Sequence, residues 1–257
     1  MSTSPSHFAW YELMTTDMAA AKAFYAKVVG WQVRDVAMPG TDYALFTVGD
    51  REVSGVTPLP DAFKASGAPP HWVGYVGVES VDATAGAVSR GGGAVHVPPT
   101  DIAGIGRFAM VADPQGGGFA LFTPQDPPQR EPVAPGATGH IGWHELCTPD
   151  WQRAFDFYSG VFGWAKGDAV DIGSMGTYQV FTAGGVPIGG MFNQPEGHAA
   201  TFWLYYFNVG DIDAATTRLK EAGGQVLNGP MQLPDGDWIV QARDPQGAMF
   251  ALTGRRA

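Results

Sequence analysis

Apolar positions along the first 60 residues alternate, then recur at helical spacing, then alternate again. Phe8 to Leu13 is a short apolar run read as a strand. Asp17 follows, placed to cap a helix that runs to Val29, with Ala21, Phe24, Tyr25 and Val28 on one face. Gly30 is placed to end it, because glycine tolerates the left-handed closing conformation. Strands are expected near Trp31–Val36, Tyr43–Val48 and Val53–Pro58, with Gly49-Asp50 as a hairpin turn. A second stretch has the same rhythm. It has a strand at Trp72–Val78, a helix at Val81–Arg90 and three glycines. Strands near Ala94–Val97, Arg107–Ala112 and Gly118–Thr123 complete it, the last two joined by Asp113-Pro114-Gln115-Gly116.

The pattern then repeats. Phe8–Trp31 and Ile141–Trp164 are identical at 11 of 24 positions at an offset of 133, including Trp10/Trp143, Glu12/Glu145, Asp17/Asp150, Phe24-Tyr25/Phe157-Tyr158 and Trp31/Trp164. Asp113-Pro114-Gln115-Gly116 recurs as Asp244-Pro245-Gln246-Gly247. A weaker repeat lies inside each half: Trp10, Trp72, Trp143 and Trp203 each precede a glycine by 20 residues. Four βαβββ units are therefore expected, starting near residues 8, 71, 141 and 202. The fold class is α+β, a tandem duplication with four units forming two open, cup-shaped sheets. The expected domains are 1–125 and 140–257, joined by a Pro-rich linker at 126–139. Two pairings stay open. Units one and two can form one cup and three and four the other, or one can pair with four and two with three.

Composition narrows the function. With 15 Lys and Arg against 25 Asp and Glu, the net charge is 15 − 25 = −10. Phosphate backbones would be repelled, so no nucleic-acid partner is expected. No apolar stretch is long enough to span a bilayer, and the opening residues lack the basic and apolar segments of a secretory leader. The single cysteine, Cys147, permits no intrachain disulfide. A cytoplasmic monomer or homodimer, with no membrane partner, is the expectation.

Paired βαβββ units, an Asp-capped helix carrying Phe-Tyr and ending in Gly-Trp, and a closing Asp-Pro-x-Gly turn resemble the vicinal-oxygen-chelate superfamily. That group holds glyoxalase I, extradiol dioxygenases, fosfomycin-resistance enzymes and bleomycin-resistance proteins. More narrowly, the chain is similar to four-unit bacterial proteins related to a mycobacterial glyoxalase-like antigen, a group that carries hydroxylase labels. The resemblance implies a cup holding a divalent metal. Its His, Glu or Gln ligands would come from the first and last strand of each unit, and the metal would act as a Lewis acid on two neighbouring substrate oxygens. Carried over residue by residue, the first-strand positions are Trp10, Trp72, Trp143 and Trp203. The last-strand positions are Ala120 and Ala251, with Gly55 and Gly190 at or near them in units one and three. None of these side chains ligates a divalent metal, so no metal ligand and no cofactor is assigned; a divalent metal held by unconventional residues, such as Glu12 or Glu145 with a strand-end histidine, stays open as an alternative.

Six residues remain as candidate ligand contacts: Trp10, Glu12, Trp72, Trp143, Glu145 and Trp203. Strand parity puts Trp10 with Glu12 and Trp143 with Glu145 on one face, and His144 on the other. The glutamates read either as structural acceptors or as ligand contacts and general bases. The four tryptophans read either as filling for a former metal pocket or as an aromatic wall for a flat ligand. No catalytic residue is assigned. The expected function is a cup that binds a small aromatic or basic organic molecule without a metal, as bleomycin-resistance proteins sequester a cationic drug. The alternative is a metal-dependent, glyoxalase- or dioxygenase-like enzyme acting on a small carbonyl compound or a catechol. One further possibility is that only one half is functional.

Overall fold

A computed structural model describes residues 6–38, 40–126, 133–134, 136–195 and 200–256. Repeat one contains β1 (Phe8–Thr15), α1 (Met18–Val29), β2 (Gln32–Met38), β3 (Thr41–Val48) and β4 (Arg51–Pro58). A short helix, α2 (Asp61–Ala65), follows β4. Repeat two contains β5 (His71–Gly77), α3 (Val81–Arg90), β6 (Ala94–Ile102), β7 (Gly106–Ala112) and β8 (Gly118–Pro124). Repeat three contains β9 (Ile141–Thr148), α4 (Trp151–Phe162), β10 (Ala165–Asp171), a 3-10 turn at Gly173–Met175, β11 (Thr177–Ala183) and β12 (Val186–Asn193). Repeat four contains β13 (Phe202–Asp211), α5 (Ile212–Glu221), β14 (Gln225–Gln232), β15 (Trp238–Arg243) and β16 (Met249–Arg255). Part of the expected linker, residues 127–132 and 135, lies outside the described residues, as does His198.

The local signals act as their chemistry requires. Asp17 accepts from the Ala20 amide at 2.9 Å, and Gly30 closes α1 at φ 89°. Asp150 accepts from the Arg153 amide at 3.1 Å, and Gly163 closes α4 at φ 72°. Trp31 falls just before β2 and is buried, because the left-handed turn at Gly30 directs it into the core rather than along the strand. Strand β6 runs on through Pro98 and Pro99, beyond the expected end at Val97. It is an edge strand with register shifts, where a missing amide donor is tolerated.

The strands form two eight-stranded sheets, in the orders β2-β3-β4-β1-β5-β8-β7-β6 and β10-β11-β12-β9-β13-β16-β15-β14. In each repeat the first strand pairs parallel with the last. Glu12 stands opposite Gly55 on β4, and Glu145 opposite Gly190 on β12.

The compact units cut across the duplication. One comprises Tyr11–Val73, Pro132–Gly142 and Leu204–Ala257, so it joins repeats one and four. Its core is an aromatic cluster of Tyr25, Trp31, Phe46, Trp72, Phe207 and Phe250, with Trp31–Phe46 centroids 4.9 Å apart and Trp72–Phe207 5.0 Å apart. Burying such rings stabilises by ~2–3 kcal/mol each. The Trp31 indole donates to the Gly139 carbonyl at 2.6 Å. The other unit comprises Met1–Trp10, Gly74–Glu131 and Trp143–Trp203, so it joins repeats two and three. Its core repeats the motif with Phe119, Tyr158, Phe162, Trp164, Phe181 and Trp203, the Trp164 and Phe181 rings stacking at 4.7 Å. Among the described residues no helix is long and apolar enough to cross a membrane.

Candidate functional site

Two carboxylate–phenol pairs occupy equivalent places in repeats one and three. In repeat one, β1 and β4 run side by side and β3 lies next to β4. Tyr43, on β3, donates its hydroxyl to Glu12 at 2.9 Å. Its ring crosses over Gly55. A Cβ at that glycine would collide with the Tyr43 hydroxyl and ring, so only a glycine lets the phenol reach the carboxylate. Glu12 and Tyr43 are both half-buried.

Repeat three builds the same device. Tyr178, on β11, lies over Gly190, where a Cβ would again collide with the ring. The Tyr178 hydroxyl is bonded to Glu145, and it accepts from the Trp143 indole at 2.7 Å. With its acceptor side taken by the indole, the hydroxyl presents its proton to the carboxylate. Burial, reinforced by the Glu145 charge, holds the Tyr178 phenol well above its ordinary pKa. It is therefore a neutral donor at physiological pH. Glu145 is 7% exposed.

The six candidate contacts divide. Trp143 and Glu145 come together on Tyr178, as strand parity requires. Glu12 sits in the equivalent pair, and Trp10 is half-buried at the start of β1. Trp72 and Trp203 lie elsewhere. Each is buried in the aromatic core of its own unit, donating its indole N–H to Tyr25 at 2.9 Å and to Tyr158 at 3.1 Å. Spacing counted to a distant glycine does not fix a face, because a register change of one residue turns every side chain over. Tyr25 and Tyr158 in turn donate to Asp244 and Asp113, the first residues of the Asp-Pro-Gln-Gly turns. His144 faces away from Glu145, stacked on Phe8 at 3.9 Å with Nδ1 on the Ile188 carbonyl at 2.5 Å; burial lowers its pKa to about 4. Cys147 is buried, and burial raises its thiol to about 11, so it is inert as a nucleophile.

Tyr43 and Tyr178 are the residues that sequence reasoning passed over. A signal was present: each tyrosine precedes the glycine it covers by 12 residues, at 43 and 55 and at 178 and 190. Among the described residues, no three His, Cys, Asp or Glu side chains cluster as a metal ion would require.

The doubled βαβββ repeat and its pairs on the first strands define a protein of the glyoxalase type. The chain belongs to the glyoxalase/bleomycin resistance protein/dioxygenase superfamily, whose model matches residues 6–121 and 139–252. It is 34% identical over 245 residues to the Mycobacterium tuberculosis protein named "Putative glyoxylase CFP32", covering 95% of this chain and 92% of that one. It is 32% identical over 271 residues to the anthracycline biosynthesis protein DnrV of Streptomyces peucetius, covering 98% and 94%. Among solved structures, the Mn(II)-bound glyoxalase from Novosphingobium aromaticivorans superposes with a TM-score of 0.64 at 19% identity, over 99% of this chain and 83% of that one. The 2,3-dioxygenase LapB from Pseudomonas sp. KL28 superposes with a TM-score of 0.65 at 12% identity, over 98% and 92%. At these identities the likeness concerns the fold alone.

Proposed function

We propose that this chain binds a small aromatic or basic organic molecule at its carboxylate–phenol pairs, without a divalent metal. The observation that carries the reading is the exchange at Gly55 and Gly190. Where the superfamily's last strand would offer a ligand, this chain has a glycine, and a tyrosine ring takes the room. The donors in reach are one carboxylate and one neutral phenol in each pair. A divalent ion in a catalytic site takes about three protein ligands, and a protonated phenol is a poor one. The residues present therefore do not fit the metal that the superfamily implies, and no reaction step is assigned to it.

The pairs suit recognition. A ligand N–H or ammonium can share the carboxylate with the tyrosine, and the phenol can donate to a ligand carbonyl. The acidic chain, at −10, favours the approach of a cation. The similarity to DnrV, named for anthracycline biosynthesis, supports a flat polycyclic ligand.

Daunorubicin, a tetracyclic chromophore carrying a cationic amino sugar, is a suitable probe. Fluorescence titration in excess EDTA should show binding. Glu12→Gln or Glu145→Gln should weaken it roughly tenfold or more, the scale of a lost charge-assisted hydrogen bond. Binding that appears only with a divalent ion, or that neither variant alters, would overturn the reading.

A further inference from the structure

The two carboxylate–phenol pairs differ in what stands beside the tyrosine. Tyr43 and Gly55 map onto Tyr178 and Gly190 at an offset of 178 − 43 = 135. At that offset Thr57 on β4 becomes Phe192 on β12. Each lies two residues beyond its glycine in a regular parallel ladder, so each shares the face of its own pair. In repeat one the position is closed. Thr57 is buried, and its hydroxyl donates to the Asp42 carbonyl at 3.3 Å and lies 3.3 Å from the Thr41 hydroxyl.

In repeat three the same position carries a half-buried ring. Phe192 lies nearly parallel to Tyr178, at 23° with centroids 5.9 Å apart, the offset arrangement that aromatic pairs favour. The Trp143 indole meets the Tyr178 hydroxyl at 2.7 Å, so three half-buried rings gather on one face. Val170 stands opposite Tyr178 on β10 and adds an apolar side chain that is 41% exposed. Glu145, opposite Gly190 and bonded to Tyr178, supplies a carboxylate on the same face. Contiguous apolar surface left open to water beside a carboxylate is the composition of a ligand site rather than of a core.

We infer that repeat three, rather than repeat one, holds the flat ring of the ligand, and that Phe192 is the residue that decides this. The occupant is a planar aromatic ring system carrying a cationic amine. Its ring lies against Tyr178, Phe192 and Val170, and its ammonium is directed toward Glu145. The inference rests on the proposed function and deepens it, since it chooses between the two pairs. Charge complementarity with the carboxylate favours a cationic ring over a neutral one. Thr57, small and already hydrogen-bonded, offers repeat one no equivalent ring.

Fluorescence titration of the full chain with daunorubicin in excess EDTA tests this. Phe192→Thr, which imports the side chain of repeat one, should weaken binding roughly tenfold, the scale of a lost aromatic contact. Phe192→Leu keeps the apolar volume without the ring, so it guards against a folding defect, which urea midpoints would reveal. It should still weaken binding several-fold. Thr57→Val, at the equivalent place in repeat one, should leave binding unchanged. Full binding by Phe192→Leu would reduce Phe192 to a packing residue and overturn the inference. If Glu12→Gln or Glu145→Gln nevertheless weakened binding, the proposed function would stand without it. No binding by the parent chain in EDTA would overturn both.

Discussion

Tyr25 on α1 donates its hydroxyl to the carboxylate of Asp244 at 3.1 Å, 219 residues further along the chain. Tyr158 and Asp113 make the equivalent bond at 2.9 Å. The Phe-Tyr of the helix and the Asp-Pro-Gln-Gly turn are thus parts of one device. Within each compact unit, that device ties two different repeats together. The Asp also organises its own turn: Asp113 accepts from the Gln115 and Gly117 amides, and Asp244 from the Gln246 and Ala248 amides. Trp72 and Trp203 complete the chain of donors.

Removing the tyrosine hydroxyl strands groups at both ends. Tyr25→Phe leaves the Trp72 N–H and the Asp244 carboxylate each short of a partner. The expected loss of stability is about 2–3 kcal/mol, since buried polar groups left unpaired cost more than the bond itself contributed. Urea midpoints should show it, and Tyr158→Phe should behave alike. A double-mutant cycle of Tyr25→Phe with Asp244→Asn should give clear non-additivity. Additive losses would mean that the two residues act separately.

Stability should fall in mild acid, and His144 is the reason. Burial holds its folded pKa at about 4, below the ordinary 6.5, so the unfolded chain binds the proton first. The stabilisation is present above pH 6.5 and is lost as pH falls from there through 4, about 3 kcal/mol in all. His144→Tyr, which copies Tyr11 of the first repeat, should flatten the stability profile over that window. Asp113 and Asp244 act in the opposite sense. Burial raises both folded pKa values, so their contribution is greatest below the ordinary carboxylate range and declines as pH rises. An unchanged acid limb in His144→Tyr would remove the histidine from this account.

Gly55 and Gly190 are required for space rather than for backbone freedom. A methyl group at either must displace a tyrosine ring from above the strand. Gly55→Ala should therefore break the Tyr43–Glu12 bond and destabilise the fold by about 1–3 kcal/mol, the usual cost of overpacking. Gly55→Ala combined with Tyr43→Phe should cost little beyond the first change. Ultraviolet difference spectra of the tyrosines would report the displaced ring directly. A fully stable Gly55→Ala with an unperturbed spectrum would contradict the geometry.

The caps and repeats were legible from sequence because their physics is local. Asp17, Gly30, Asp150 and Gly163 act within three or four residues of their partners. The sharing of a face by Trp143 and Glu145 was legible too, since alternation along one strand is fixed. The bond of Tyr25 to Asp244 was not, because nothing local couples residues so far apart. The burial of Trp72 and Trp203 in the aromatic cores was hidden by register. Tyr43 and Tyr178 needed the hairpin register that sets each ring over its glycine. The spacing to that glycine is visible along the chain, but only the fold gives it meaning.

The central claim is that the Glu12–Tyr43 and Glu145–Tyr178 pairs recognise organic molecules without a metal. Elemental analysis of the full chain tests it most directly, after exposure to Mn, Fe, Co, Ni and Zn and extensive washing. Far less than about one retained ion per chain is expected, with daunorubicin binding unchanged by EDTA. One or two retained ions per chain, lost in Glu12→Gln or Glu145→Gln, would contradict it and return the chain to the metal chemistry of its superfamily.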